Sequence, residues 1–166
     1  MFRYAVLPDL IRVGLDKISP SGEGKLQYFP CQVTLKSGES LDTVYIVSEA
    51  PYLYYWGKYP EDDPAKEWIR IEDVVEVEDS PTRLPARFAN KVYRQGESGM
   101  GYSIFTVVFV DGSRQACVAG GAIDFISYPF GKGPSDVVDI LPGEGRDAQP
   151  IKGPRYYWCL YSESEA

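Results

Sequence analysis

The sequence predicts an all-β fold with at most one short helix, built as two tandem, internally duplicated SH3-like or bent-sheet units. Three observations carry this expectation. The first is self-similarity. Set without a gap, Leu10 to Asp62 and Leu84 to Asp136 are identical at 13 of 53 positions, where composition alone gives roughly three or four. Among the matches, at an offset of 74, are Leu10/Leu84, Gly22/Gly96, Glu23/Glu97, Tyr28/Tyr102, Val33/Val107, Gly38/Gly112, Val44/Val118 and Asp62/Asp136. A repeated unit that cannot bury its apolar face alone stacks on or pairs with its copy. The second observation is alternation: short β-branched runs recur, separated by turn residues. The third is that the one short helix read from the chain lies in the insert around Glu61 to Arg70, where Asp62-Asp63 ahead of Pro64 gives a start signal.

Taken in order, Phe2 to Leu7 reads as a strand stopped by Pro8 and Asp9. Pro30 to Ser48 reads as a hairpin with one wet face, because Val33 and Leu35 alternate with polar residues and Ser37-Gly38 marks the turn. In the second copy Ile104 to Val110 is nearly continuous apolar sequence, which requires cover on both faces. That hairpin is expected to be central and the first peripheral, with Asp111-Gly112 suited to a type I′ turn. An aromatic passage follows each hairpin, Tyr52 to Lys58 and Tyr128 to Lys132, read as extended chain whose rings alternate in direction. Each copy closes on a similar strand, Ile71 to Val77 and Pro134 to Ile140, now at an offset of 63. The first copy therefore carries 74 − 63 = 11 extra residues, around the possible short helix. Pro142 to Pro154 reads as a loop, Tyr156 to Tyr161 as a last strand pairing with the first, and Ser162 to Ala166 as a fraying end. The units so drawn span 8–79 and 82–142, with 143–166 as loop plus C-terminal strand, in one compact domain overall.

Composition narrows the function. The chain has 166 residues, 44% of them hydrophobic and 14% aromatic, ample for a core. Its formal charge is −7, with no run of Lys or Arg, so it lacks the cationic stripe that nucleic acid requires. The acidic surface keeps the molecule in solution and suits a basic protein or peptide as partner. Cys31, Cys117 and Cys159 are odd in number and widely spaced, which fits neither a disulfide framework nor a zinc knuckle. Met1 to Leu15 lacks a signal-peptide core, and no stretch approaches 18 apolar residues, so a cytoplasmic location with reduced thiols and no membrane partner is expected. Edge strands of an open sheet also allow a homodimer.

Histidine is absent. That closes Ser/His/Asp, Cys/His and histidine-based metal mechanisms, and no cofactor or metal is expected. Carboxylate, Lys, Tyr and backbone chemistry remain open. The passages Ser21-Gly22-Glu23-Gly24 and Gln95 to Gly101 could form anion nests, but no Gly-Lys-Ser/Thr follows and a strand does, so they read as tight loops. Asp136, Asp139, Glu144, Arg146 and Asp147 fit no calcium-loop spacing and read as a solvated rim.

Two functional classes follow. The favoured one is a non-enzymatic cytoplasmic binding protein, for instance an inhibitor or immunity-type factor, whose aromatic patch of Tyr55, Trp56 and Tyr59 meets the partner. On this reading Trp56→Ala leaves folding intact and removes binding. The alternative is a carboxylate-based hydrolase or lyase at the junction of the repeats, with Glu23 and Glu97 as an acid/base pair beside Tyr28 and Tyr102. It requires at least one of the two glutamates to be buried.

Overall fold

A computed structural model describes residues 2–163; Met1 and positions 164–166, most of the expected fraying end, lie outside the described residues. In chain order the elements are α1 (Asp9–Leu15), β1 (Ser21–Glu23), β2 (Leu26–Leu35), β3 (Ser40–Ser48), α2 (Glu49–Trp56), β4 (Glu67–Trp68), β5 (Val74–Glu78), α3 (Ala86–Gln95), β6 (Ser103–Phe109), β7 (Arg114–Ala119), β8 (Val137–Pro142), β9 (Ile151–Lys152) and β10 (Tyr157–Tyr161). The chain divides into two compact units. The first holds positions up to Pro20, Gly24–Ser80 and the chain from Arg155 onward; the second holds Ser21–Glu23 and Pro81–Pro154.

This architecture corrects the all-β, SH3-like expectation. The fold is mixed α/β, with three α-helices among the described residues and two sheets that remain open rather than closing into barrels. Strand order is β5-β2-β3-β10-β4 within the first unit and β8-β6-β7-β9 in the second. Phe2 to Leu7 is not a strand; the chain ends meet at a single bridge, Val6 to Ser162, with Ser162 N–H donating to Ala5 O at 2.9 Å. The insert around Glu61 to Arg70 forms a 3-10 turn at Pro60–Asp62 and the two-residue strand β4, not an α-helix.

The units share their strand pairing residue for residue. Val33 faces Leu41 and Val77 in one; Val107 faces Gln115 and Ile140, its counterparts at offsets 74 and 63, in the other. Leu35 pairs with Val74 past a register shift, and Phe109 pairs with Val137 past the same shift. Lys36 N–H reaches Asp73 O and Val110 N–H reaches Asp136 O, both at 2.8 Å. Both hairpins close identically, by Leu35 N–H to Glu39 O and Phe109 N–H to Ser113 O, around loops ending in Gly38 (φ 90°) and Gly112 (φ 86°). Asp111 lacks a positive φ, so the turn is not the two-residue type I′. It is a three-residue loop with glycine in the left-handed position, which only a residue without Cβ adopts cheaply.

Within the hairpins themselves one register difference separates the copies. In β3 an extra residue lies between Leu41 and Val44, because Cys31 pairs with Val44 while Val33 pairs with Leu41. Beyond it, Val44 corresponds to Cys117, the partner of Phe105, and not to Val118. The Val44/Val118 identity is thus coincidental, and a one-residue slip of this kind exchanges the two faces of a strand.

The first hairpin is also central, flanked by β5 and β10, which corrects its expected peripheral place. Both faces of β3 are covered, and Val44, Tyr45, Ile46 and Val47 have no exposed surface. Cys31, Val33, Val44, Ile46 and Cys159 pack with Leu7, Ile11 and Leu15 on one face. Contact there is close, since a Cβ on Gly14 of α1 would lie 2.4 Å from Val77 Cγ2. The other face presents Tyr28 and Trp158 to α2, with Tyr45 packed beside them.

In the second unit α3 buries Phe88, Ala89 and Val92 against Phe105, Val107, Phe109 and Ile140. Asp124 is fully buried there, its carboxylate accepting from Ser21 Oγ and Tyr93 Oη. Gly22 N–H donates to Asn90 Oδ1 at 3.0 Å, so the glycine-rich passage at Ser21 is a strand held by side chains rather than an open nest.

Candidate functional site

The aromatic passage from Tyr52 is helical, and this rearranges the predicted patch. On α2 the four-residue spacing puts Tyr52 and Trp56 on one side, with ring centroids 5.9 Å apart at 20°. Tyr54 and Tyr55 turn outward, 95% and 54% exposed. Gly57, with φ 76°, ends the helix and donates to Leu53 O at 2.8 Å.

Beneath α2 lies a layer of rings drawn from distant segments. Trp158 of β10 is adjacent in register to Tyr45 of β3, and their rings stack at 4.9 Å. Tyr28 of β2 meets Tyr45 at 5.3 Å and Trp158 at 5.6 Å. Tyr156 stands edge-on to Tyr45 at 5.0 Å. Tyr52 and Trp56 pack edge-on to Trp158 at 4.9 and 5.3 Å. The Trp56 Nε1–H donates to Tyr28 Oη at 3.0 Å. Trp158 is 1% exposed, and its Nε1–H has no acceptor among the described residues.

A cation completes this layer. Lys66, in the turn before β4, directs its ammonium onto the rings of Trp56, Tyr52 and Trp158, 4.1, 5.2 and 5.7 Å from their centroids. It donates to Tyr52 Oη at 2.8 Å and lies 3.9 Å from Asp63 Oδ2. Burial lowers the Lys66 pKa against the opposing pull of Asp63, with a further lowering from Lys58. Burial also raises the Tyr52 pKa, reinforced by Asp63, which keeps that phenol neutral.

Of the residues expected to form the patch, Tyr55 and Trp56 meet edge-on at 5.4 Å. Tyr59 goes elsewhere. Its ring lies 5.7 Å from Tyr4 with the Arg3 guanidinium 4.2 Å above it, and its hydroxyl donates to Glu49 at 3.5 Å. Glu49 is buried because the N–H groups of Arg3 and Tyr4 and the Ser162 hydroxyl also donate to its carboxylate. The residues of the hydrolase or lyase reading are not arranged as that chemistry needs. Glu23 and Glu97 are both exposed, Glu97 accepts from Gly101 N–H at 3.1 Å, and Tyr102 accepts from Arg146 at 3.0 Å. Tyr28 belongs to the ring layer.

Sequence reasoning did not find Lys66, Tyr45, Tyr156 or Trp158 as members of one site. The alternation of Tyr156 with Trp158 was the available signal, since residues two apart on a strand share a face. In the second unit, the same side of the hairpin carries an open cavity of about 440 Å³ bordered by Thr106, Ala116, Glu144 and Ile151. Gly145 closes its floor, where a Cβ would lie 2.7 Å from Thr106 Oγ1.

Among the described residues, no three acidic or cysteine side chains cluster to hold a metal ion. No helix there is long and apolar enough to cross a membrane. Comparison with family models, curated proteins and solved structures finds no match, so the geometry of the ring layer stands as the basis for a functional reading.

Proposed function

We propose that this chain is a non-enzymatic binding protein of the reducing cytoplasm, and that the outward side of α2 receives a basic segment of a partner protein. One observation carries the reading: Tyr54 and Tyr55 stand in solvent beside the half-buried Trp56. Tyr and Trp are the side chains that most often dominate interface energy, because they bury large areas with few rotatable bonds. Glu61, Asp62 and Asp63 follow after four intervening residues, and the net charge of −7 favours encounter with a cationic surface. An inhibitor that covers a basic enzyme is one form this takes. All three cysteines are buried, in keeping with a structural role for their thiols.

The test is a binding titration with Lys/Arg-rich peptides and sequence-matched acidic peptides, at low salt and at about 0.3 M. Basic peptides should bind and weaken with salt, and Tyr54→Ala/Tyr55→Ala should reduce affinity by about tenfold or more while leaving the circular dichroism unchanged. Equal binding of acidic peptides, or an unchanged affinity in the double variant, overturns the reading.

A further inference from the structure

Three rings, two from α2 and one from β10, converge on the single ammonium of Lys66. This is the arrangement by which aromatic cages hold quaternary and methylated ammonium ligands, drawn by the negative faces of the rings. Lys66 is an imperfect occupant. A primary ammonium is compact, strongly hydrated and able to donate three hydrogen bonds. Here it finds one short bond, to Tyr52 Oη, and a carboxylate oxygen 3.9 Å away. Its lowered pKa reports the same loss of hydration. An alkylated ammonium spreads its charge, sheds water at lower cost and needs fewer donors satisfied, or none when quaternary, so these rings suit it better than they suit Lys66.

The lysine is also free to leave. It sits in a turn closed by its own N–H to Asp63 O at 3.0 Å, next to the exposed Pro64 and Ala65. Withdrawal of the side chain breaks no helix or strand hydrogen bond. We propose that Tyr52, Trp56 and Trp158 form a receptor for an alkylated ammonium group and that Lys66 keeps it closed until such a group displaces the lysine. The inference rests on the binding reading above insofar as the basic partner carries that group, as a methylated lysine; a free quaternary amine offers the same chemistry.

The experiment titrates tetramethylammonium, and neopentyl alcohol as a neutral analogue of similar size, into the full chain and its Lys66→Met variant, followed by indole fluorescence and ring-proton NMR shifts. Lys66→Met should bind tetramethylammonium at least about fivefold more tightly than the unaltered chain, with no such gain for the alcohol. Equal affinities in the two proteins, or an equal gain for the alcohol, overturns the proposal. Should Lys66→Met not fold, the unaltered chain is titrated at pH 7 and at about pH 10. Loss of charge from Lys66 should strengthen binding while burial keeps Tyr52 neutral; Asp63, Glu61 and Lys58 are the charged neighbours, and Tyr28→Phe, Tyr45→Phe and Tyr156→Phe take the other phenols of the layer out of the comparison. No strengthening refutes the proposal.

A trimethyllysine peptide against choline then separates the two sources. If tetramethylammonium enters but Tyr54→Ala/Tyr55→Ala leaves basic-peptide binding unchanged, the partner surface fails and the receptor stands. The converse result leaves the surface and removes the receptor.

Discussion

Trp56→Ala is now expected to cost stability as well as binding. The half-buried indole packs against Tyr52, Tyr55 and Trp158 at 5.3 to 5.9 Å between centroids, lies under the Lys66 ammonium at 4.1 Å and donates to Tyr28 Oη at 3.0 Å. Truncating a fully buried Trp costs about 3–5 kcal/mol, a figure that already contains most of the packing loss. Partial exposure reduces the apolar share, whereas the hydrogen bond and the cation–ring attraction add about 1 kcal/mol each at most. The net expectation is a loss of about 2–4 kcal/mol. With a urea dependence of about 2 kcal/mol per molar, the unfolding midpoint should fall by about 1–2 M. Trp56→Phe, which keeps a ring but not the donor, should lose roughly half as much. A loss below about 0.5 kcal/mol for Trp56→Ala would refute this account of the ring layer and restore Trp56 to a purely surface role.

Tyr54→Ala, by contrast, removes a ring that is 95% exposed and should change unfolding free energy by no more than about 0.5 kcal/mol in the same assay. Gly14→Ala should destabilise by about 1–2 kcal/mol despite the better helix propensity of Ala, because its Cβ meets Val77 Cγ2 at 2.4 Å; in a double-mutant cycle Val77→Ala should relieve most of that loss, and independence of the two changes would show that α1 shifts instead. Asp124→Ala should cost about 2–4 kcal/mol by denaturation, since it strips a buried acceptor from the Ser21 and Tyr93 hydroxyls. Burial pushes the Cys117 thiol up to about 11, with Gln115 pulling weakly the other way. The folded state then holds its proton where the unfolded chain has lost it, so this contribution is intact below about pH 8.5 and is lost as pH rises through 11. Cys117→Ala should flatten that alkaline decline, and an unchanged slope would place its origin elsewhere.

Repetition was visible in the chain itself. Gly38 and Gly112 both end three-residue hairpin loops, and the closing strands from Val74 and Val137 take the same register at the offset of 63 that their sequences showed. Strand alternation and turn glycines are local signals, and they survive folding because each is set by backbone sterics within a few residues. The helices were less visible. Tyr52 to Lys58 reads as an extended aromatic run because Tyr and Trp favour strands and Pro51 stands just ahead of it. Yet proline in the first turn of a helix leaves no needed donor unpaired, and packing of Tyr52 and Trp56 on Trp158 decides the outcome. The gapless offset also concealed the extra residue in β3, which one added position cannot announce by composition.

By itself the sequence determined a duplicated, strand-rich scaffold, an acidic surface and the exclusion of histidine chemistry, all properties of residue type and short-range spacing. Only tertiary structure decided that the fold is mixed α/β and that Tyr28, Tyr45, Tyr52, Trp56, Trp158 and Lys66 share one layer. Those residues are separated by up to 130 positions (158 − 28). The parallel pairing of β10 with β3 is what carries Trp158 to Tyr45. Long-range pairing depends on the burial that the whole unit achieves on closing, so no local window of the chain contains it.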